Sequence, residues 1–217
     1  MGVHDTCPES ANRIGETKMG MYKYIQKAWK KPKETLGDLW YDRLVQWRQE
    51  SPTVRIDHPT RLDRARALGF KAKPGIFIVR QRMERGGHVR ERIQGGRTPR
   101  KFGIRMNLEQ SYQWICEQRA ARAYPNCEIL NSYWVAKDGM HYWYEIIMVD
   151  KAHPAILADP NLSWLAKPAN RRRVFRGLTG AGKKSRGLRN KGLGAEKARP
   201  SKGKAANKKK RKFGFGA

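Results

Sequence analysis

A chain of 217 residues carrying 47 Lys and Arg against 19 Asp and Glu has a formal charge of +28. Such an excess repels itself in a compact body, so it implies a large polyanionic partner and argues against an ordinary small-molecule enzyme. No apolar run approaches the roughly 20 residues that a membrane-spanning helix needs, which favours nucleic acid over an anionic membrane.

In chain order, residues 1–18 lack the apolar stretch of a secretory signal and read as a disordered or non-native extension. The opening MGVHDT fits the short myristoylation pattern, but the main basic cluster lies at the opposite end, so the fit is taken as chance. Residues 19–52 form a helical unit. Apolar positions at 22, 25 and 29, then at 36, 40, 44 and 47, predict two helices separated by Pro32, which disfavours helix at Lys31. At this helical spacing Trp29, Trp40 and Trp47 read as core residues rather than base-stacking platforms.

Residues 53–100 read as a basic strand and loop arm. A short helix is expected over 61–69, ended by Gly69, and a strand over 75-GIFIVRQRM-83 whose Arg80 and Arg82 point outward. From 84 to 101, two Gly-Gly pairs and Pro99 interrupt a run of arginines.

Residues 101–166 carry the strongest fold signals and are near neutral, with 6 basic and 7 acidic side chains. Asn107 is the expected N-cap of a helix to Pro125, with Gln110 at capping-box spacing and apolar residues recurring at three and four. The segments 127–137 and 140–149 are β-branched and aromatic, and Asp138-Gly139 between them predicts a two-residue type I′ hairpin. The fold class is therefore α+β: a small mixed core with an antiparallel hairpin and amphipathic helices, plus long basic irregular extensions.

The last extension, 167–217, holds 19 Lys and Arg and a single acid, Glu196, for a net +18. Neither it nor 84–101 shows an apolar repeat, so both are expected to order only against a partner that neutralises them. Cys7, Cys116 and Cys127 make no pairing framework, which points to a reduced setting, and the five His have no Cys or His at ligand spacing. No metal or cofactor is implied.

The string 177-GLTGAGKKS-185 nearly satisfies the phosphate-loop pattern G-x-x-x-x-G-K-[ST], with Lys184 where the hydroxyl belongs. A nucleotide site needs a buried strand leading in, a helix following, and a hydroxyl for magnesium. Here the lead-in is 170-NRRRVFR-176, and three glycines follow where a helix should run. The loop instead reads as glycines that let backbone approach the phosphates of a folded RNA, among interleaved cations.

Several strings then carry a resemblance: 129-ILNSYWV-135, 142-YWYEIIMVD-150, 153-HPAI-156, 159-DPNLSWL-165 and 176-RGLTGAGKKSRGL-188, with 19-MGMYKYIQKAWK-30 and 66-RALGFKAKPGIFIVRQRMERGG-87. From Met19 to about Leu193 the chain resembles the archaeal and eukaryotic large-subunit ribosomal protein family numbered fifteen-e, which is unrelated to the bacterial family of that number. The resemblance implies a small core with extensions set among large-subunit ribosomal RNA and neighbouring ribosomal proteins in the cytoplasm, with no catalysis, cofactor, membrane or small-molecule substrate. It implies RNA contacts at Lys71, Lys73, Arg80, Arg82, Arg85, Arg176, Lys183, Lys184 and Arg186. Charge adds Arg90, Arg92, Arg97, Arg100 and Lys101 in the glycine-rich arm, and Arg171, Arg172, Arg173, Arg189 and Lys191 in the last. Residues 1–18 precede the usual family start, which makes Met19 the expected initiator, and the tail beyond Lys197 matches no motif. A DNA-packaging protein is the alternative that composition allows; it is disfavoured because the neutral block has no basic recognition helix. An enzyme is disfavoured because no nucleophile–base arrangement can be placed.

Overall fold

A computed structural model describes residues 20–87, 95–96, 108–199, 201 and 203–207. The expectations for 1–18, for Asn107 as a cap, and for Arg90, Arg92, Arg97, Arg100 and Lys101 fall outside these residues. Four strands form one antiparallel sheet: β1 (Thr53–Ile56), β2 (Ile76–Glu84), β3 (Cys127–Lys137) and β4 (His141–Asp150), in the order β1-β2-β4-β3. β4 is interior and pairs on both edges, with β2 from Ile76↔Val149 to Glu84↔His141 and with β3 from Cys127↔Asp150 to Lys137↔Tyr142.

Period-two alternation on β4 explains why nearly the whole strand is buried. Trp143, Ile147 and Val149 face a core with Trp29, Trp40, Leu44 and Trp47, while Tyr144, Ile146 and Met148 face a second core with Trp114, Cys116 and Ala120. Each such side chain, fully buried, stabilises by about 1.5–3 kcal/mol. The first core is closed by α1 (Met21–Ala28), α2 (Pro32–Leu36), α3 (Asp38–Gln49), α4 (Leu62–Ala67) and α6 (Pro154–Leu157). The second is closed by α5 (Tyr112–Ala123) and α7 (Gly180–Ser185). The three tryptophans expected inside are inside: Trp29 meets Trp40 edge-on at 5.9 Å, and Trp47 lies 6.1 Å from Trp143.

Several boundaries differ from expectation. Pro32 does not merely separate two helices; it opens α2 at the first helical position, with Lys31 outside the helical region before it. The strand β1 was not anticipated. It is a four-residue edge element paired only with β2, and Thr53 Oγ1 donates to Gln81 Oε1 at 2.6 Å. Helix α5 starts at Tyr112 rather than near 108, capped by Ser111, whose hydroxyl accepts from the Trp114 N–H. Leu108, which lies before that start, is exposed.

The hairpin turn is not type I′. Gly139 is not in the left-handed region, and the Asp138 carboxylate closes the turn by accepting from the N–H groups of Met140 and His141. Burial would raise the Asp138 pKa, but those two N–H groups and Arg48 outweigh it and hold the carboxyl below the usual range. His141 packs on Trp143 beside Asp138, as a packing histidine does.

Candidate nucleic-acid interface

The start of the last extension is not a free arm. A 3₁₀ turn at Pro168–Asn170 leads to Val174, which is 1% exposed and whose carbonyl accepts from Trp114 Nε1 at 2.8 Å. Beside it, the Arg173 guanidinium lies 4.6 Å over the Trp164 ring and reaches the Ile129 carbonyl. Arg172 takes a positive φ of 53°, and its N–H donates to the buried Glu128 carboxylate at 2.7 Å.

The second tie is Glu117 on α5. Its buried carboxylate accepts from the hydroxyls of Ser132 on β3 and Thr179, the N-cap of α7, the latter at 2.6 Å. Desolvation raises its pKa, while those two hydroxyls and the Arg173 charge pull the other way. One carboxyl thus joins helix, sheet and C-terminal segment. The expectation that 167–217 orders only on a partner is corrected for this stretch. It lacks apolar periodicity because buried hydrogen bonds and a few single contacts anchor it, not an amphipathic stripe.

The glycine loop needs two further corrections. A helix does follow: α7 begins inside the motif, with the Gly182 N–H on Thr179 Oγ1 at 3.2 Å. Its glycines bring protein to protein, not backbone to phosphate. A Cβ on Gly182 would stand 2.7 Å from Gly177 Cα, and one on Gly177, where φ is +65°, would meet Arg186 and the Trp114 ring. The N–H groups of Gly177, Leu178 and Lys183 donate to the carbonyls of Val174, Arg173 and Thr179. With those donors occupied and no strand at 170–176, the loop departs from the strand–loop–helix arrangement of a nucleotide-binding P-loop.

The basic residues divide sharply. Arg80 was expected to point outward; it is 9% exposed, pairs with Glu50 and stacks 4.6 Å over Trp47. Arg82 was expected outward too, but donates to the carbonyls of Trp47 and Arg48. The reason is that α3 packs over this end of β2, and its last turn supplies both acceptors. Lys73 is bound to Asp159 and the Ala155 carbonyl, and Lys71 sits at the rim of the same carboxylate at 3.8 Å. Asp159 is correspondingly held below the ordinary carboxylate range, first by Lys73. Arg85 is exposed, donating to the Asp138 carbonyl and lying over Tyr142.

In the C-terminal segment the pattern reverses. Arg171, Arg172, Arg176, Lys183, Lys184, Arg189 and Lys191 are exposed, and Arg186 is half-buried, donating to the carbonyls of Arg176 and Gly177. Among the described residues, none of the ion pairs within 4.0 Å uses a cation of 167–191. Two further cations were missed. Arg122 and Lys151 line a groove of about 600 Å³ together with Arg171, Arg172 and Phe175. Both sit in the block whose net charge is near zero, so a block count hides them; Arg122 is exposed in the last turn of α5 and Lys151 is half-buried just past β4. Among the described residues no group of three or more His, Cys, Asp or Glu is placed to hold a metal.

Residues 20–205 match the family described as Ribosomal L15. The large ribosomal subunit protein eL15 of Methanocella arvoryzae is 53% identical over 182 residues, which is 83% of this chain and 93% of that one. Its counterpart in Nanoarchaeum equitans is 52% identical over 185 residues, covering 85% and 97%, and that of Picrophilus torridus is 49% identical over 185, covering 84% and 95%. With the family matched over most of its length and half the residues shared with these relatives, the chain belongs to the Ribosomal L15 (L15e) family.

Proposed function

We infer that this protein is a structural component of the large ribosomal subunit in the cytoplasm, bracing folded ribosomal RNA and touching neighbouring ribosomal proteins. The observation that carries the reading is a set of exposed cations (Arg171, Arg172, Lys183, Lys184, Arg189 and Lys191) with no ion pair among the described residues, on a segment locked to the sheet through Glu117 and Glu128. A cation held on a rigid body meets an RNA phosphate with little ordering entropy left to lose, and releases condensed counterions when it does. The family match and the relatives' names support the same reading.

On this account Lys183 and Lys184, projecting from α7, grip backbone phosphate, and the glycines beneath them set the distance to the core. Lys73, Arg80 and Arg82 serve the fold. The buried carboxyls serve the fold as well: Glu145 accepts from Tyr133 Oη and the Thr60 N–H, so neither it nor Glu117 is presented to a substrate.

Crosslinking inside isolated large subunits, mapped to both nucleotides and peptides, tests the reading. Peptides spanning 171–191 are expected to carry ribosomal RNA nucleotides. Co-purification of the native protein with chromatin, and no RNA adduct on those peptides, would favour the DNA-packaging alternative instead.

A further inference from the structure

The groove between the end of α5, the start of β3 and the turn at 171–175 has a charge pattern that the phosphate-gripping reading does not use. Its rim carries four cations, Arg122, Lys151, Arg171 and Arg172. Its lining includes the buried Glu128 carboxylate and the carboxyl-terminal turn of α5, which bears a partial negative charge. A phosphate is therefore attracted to the rim and repelled from the interior. Phe175 also lines the groove and is 40% exposed, with the Arg122 guanidinium 5.7 Å from its ring. An exposed aromatic backed by a guanidinium is a stacking platform for a planar ring. The volume of about 600 Å³ lies within the range of small-ligand pockets and is ample for a nucleobase and its ribose.

We propose that this groove takes one unstacked RNA base, laid against Phe175 with its hydrogen-bond donors toward Glu128 and the α5 carbonyls, and its flanking phosphates on Arg122, Lys151 and the Arg171–Arg172 pair. A single-stranded or bulged nucleotide satisfies both halves of the pattern; a continuous duplex, with its bases stacked inside, satisfies only the rim. The proposal rests on the RNA-binding reading above and adds a site for a single nucleotide to it.

Three RNA probes test it with the full-length protein: a short single-stranded oligomer with 2-aminopurine at its centre, the same oligomer abasic at that position, and large-subunit ribosomal RNA. The 2-aminopurine oligomer should bind about tenfold more tightly than the abasic one, with its fluorescence quenched. Phe175→Leu should abolish that difference with no change in melting temperature, since the ring is half out of the fold, and Phe175→Tyr should keep it. Replacing Arg171 and Arg172 with Gln should weaken both oligomers alike and flatten the salt dependence by about 1.4 in log–log slope. Equal affinity for the two oligomers, or an unchanged difference in Phe175→Leu, overturns the base site while binding of ribosomal RNA stands. Failure to bind ribosomal RNA as well overturns the site together with the reading beneath it.

Discussion

Arg61, Lys73, Arg80 and Arg82 turn inward, whereas Arg171, Arg172, Lys183, Lys184, Arg189 and Lys191 turn to solvent. Arg61 lies over Trp29 and pairs with Asp63, Lys73 pairs with Asp159, and Arg80 pairs with Glu50 over Trp47. The same residue types past 170 have no carboxylate within 4.0 Å among the described ion pairs. Charge density along the chain does not distinguish these two roles. The difference is made by neighbouring elements: α3 and the 153–160 turn bring acids onto the first set, while Glu117 and Glu128, near the second, are buried, with Glu117 held by Thr179 and Ser132 and Glu128 Oε1 accepting from the Arg172 N–H.

The contrast can be broken from either side. The largest effect is expected at the inward set. Arg80→Ala removes a mostly buried ion pair and a cation–π contact and leaves the Glu50 carboxylate unpaired, so unfolding should become easier by about 3 kcal/mol. Chemical denaturation measures this, and a loss under 1 kcal/mol would mean the pair is a surface contact.

Next comes Gly182→Ala, which drives a Cβ to 2.7 Å from Gly177 Cα and 2.9 Å from its carbonyl carbon, backbone atoms that cannot swing aside. An overpacking cost of about 2 kcal/mol is expected. The free variant should be cut by trypsin after Lys183 and Lys184 well before the sheet is, whereas wild type should resist there. Gly203→Ala meets nothing within 4 Å and serves as the control. Early cleavage at Lys183 in wild type would restore the picture of a free arm.

Smaller still is a pH effect. Burial raises the pKa of both Glu117 and Glu145 above the ordinary glutamate range. A raised folded-state pKa means that the contribution to stability is complete below the unfolded value, about 4.3, and declines as pH climbs through the folded one. Melting temperature followed upward from pH 4 should therefore lose part of its decline when both residues are replaced by Gln. An identical profile in the double variant would mean that both carboxyls ionise normally inside the fold. At the outward set, Lys183→Ala with Lys184→Ala should change stability by less than about 0.5 kcal/mol.

How much of this could be read from the residues depends on the range of the interaction concerned. β3, β4 and the body of α5 are strongly patterned locally, and they lie within a few residues of expectation. Strand β1 is four residues long at a sheet edge, too short for alternation to register. The α5 start was misplaced because Asn107 and Ser111 both resemble caps, and only packing reveals that Leu108 faces solvent. The outward orientation expected of Arg80 and Arg82 ignored a helix thirty or more residues away. The anchoring of α7 depends on Thr179 and Glu117, 62 positions apart, which no period can expose. Lys183 and Lys184 are RNA contacts by resemblance, and α7 leaves both exposed; Arg122 and Lys151 lie inside a neutral block.

The most direct test of the division compares salt dependence in two triple variants binding large-subunit ribosomal RNA. Replacing Lys183, Lys184 and Lys191 with Ala should flatten the slope of log affinity against log salt by about 2 to 3, with melting temperature unchanged. Replacing Arg61, Lys73 and Arg80 with Met should lower the melting temperature and leave the slope as in wild type, measured where all three proteins are folded. Equal flattening in both variants would show that the inward cations leave their carboxylates to meet RNA, and the division drawn from the structure would be wrong.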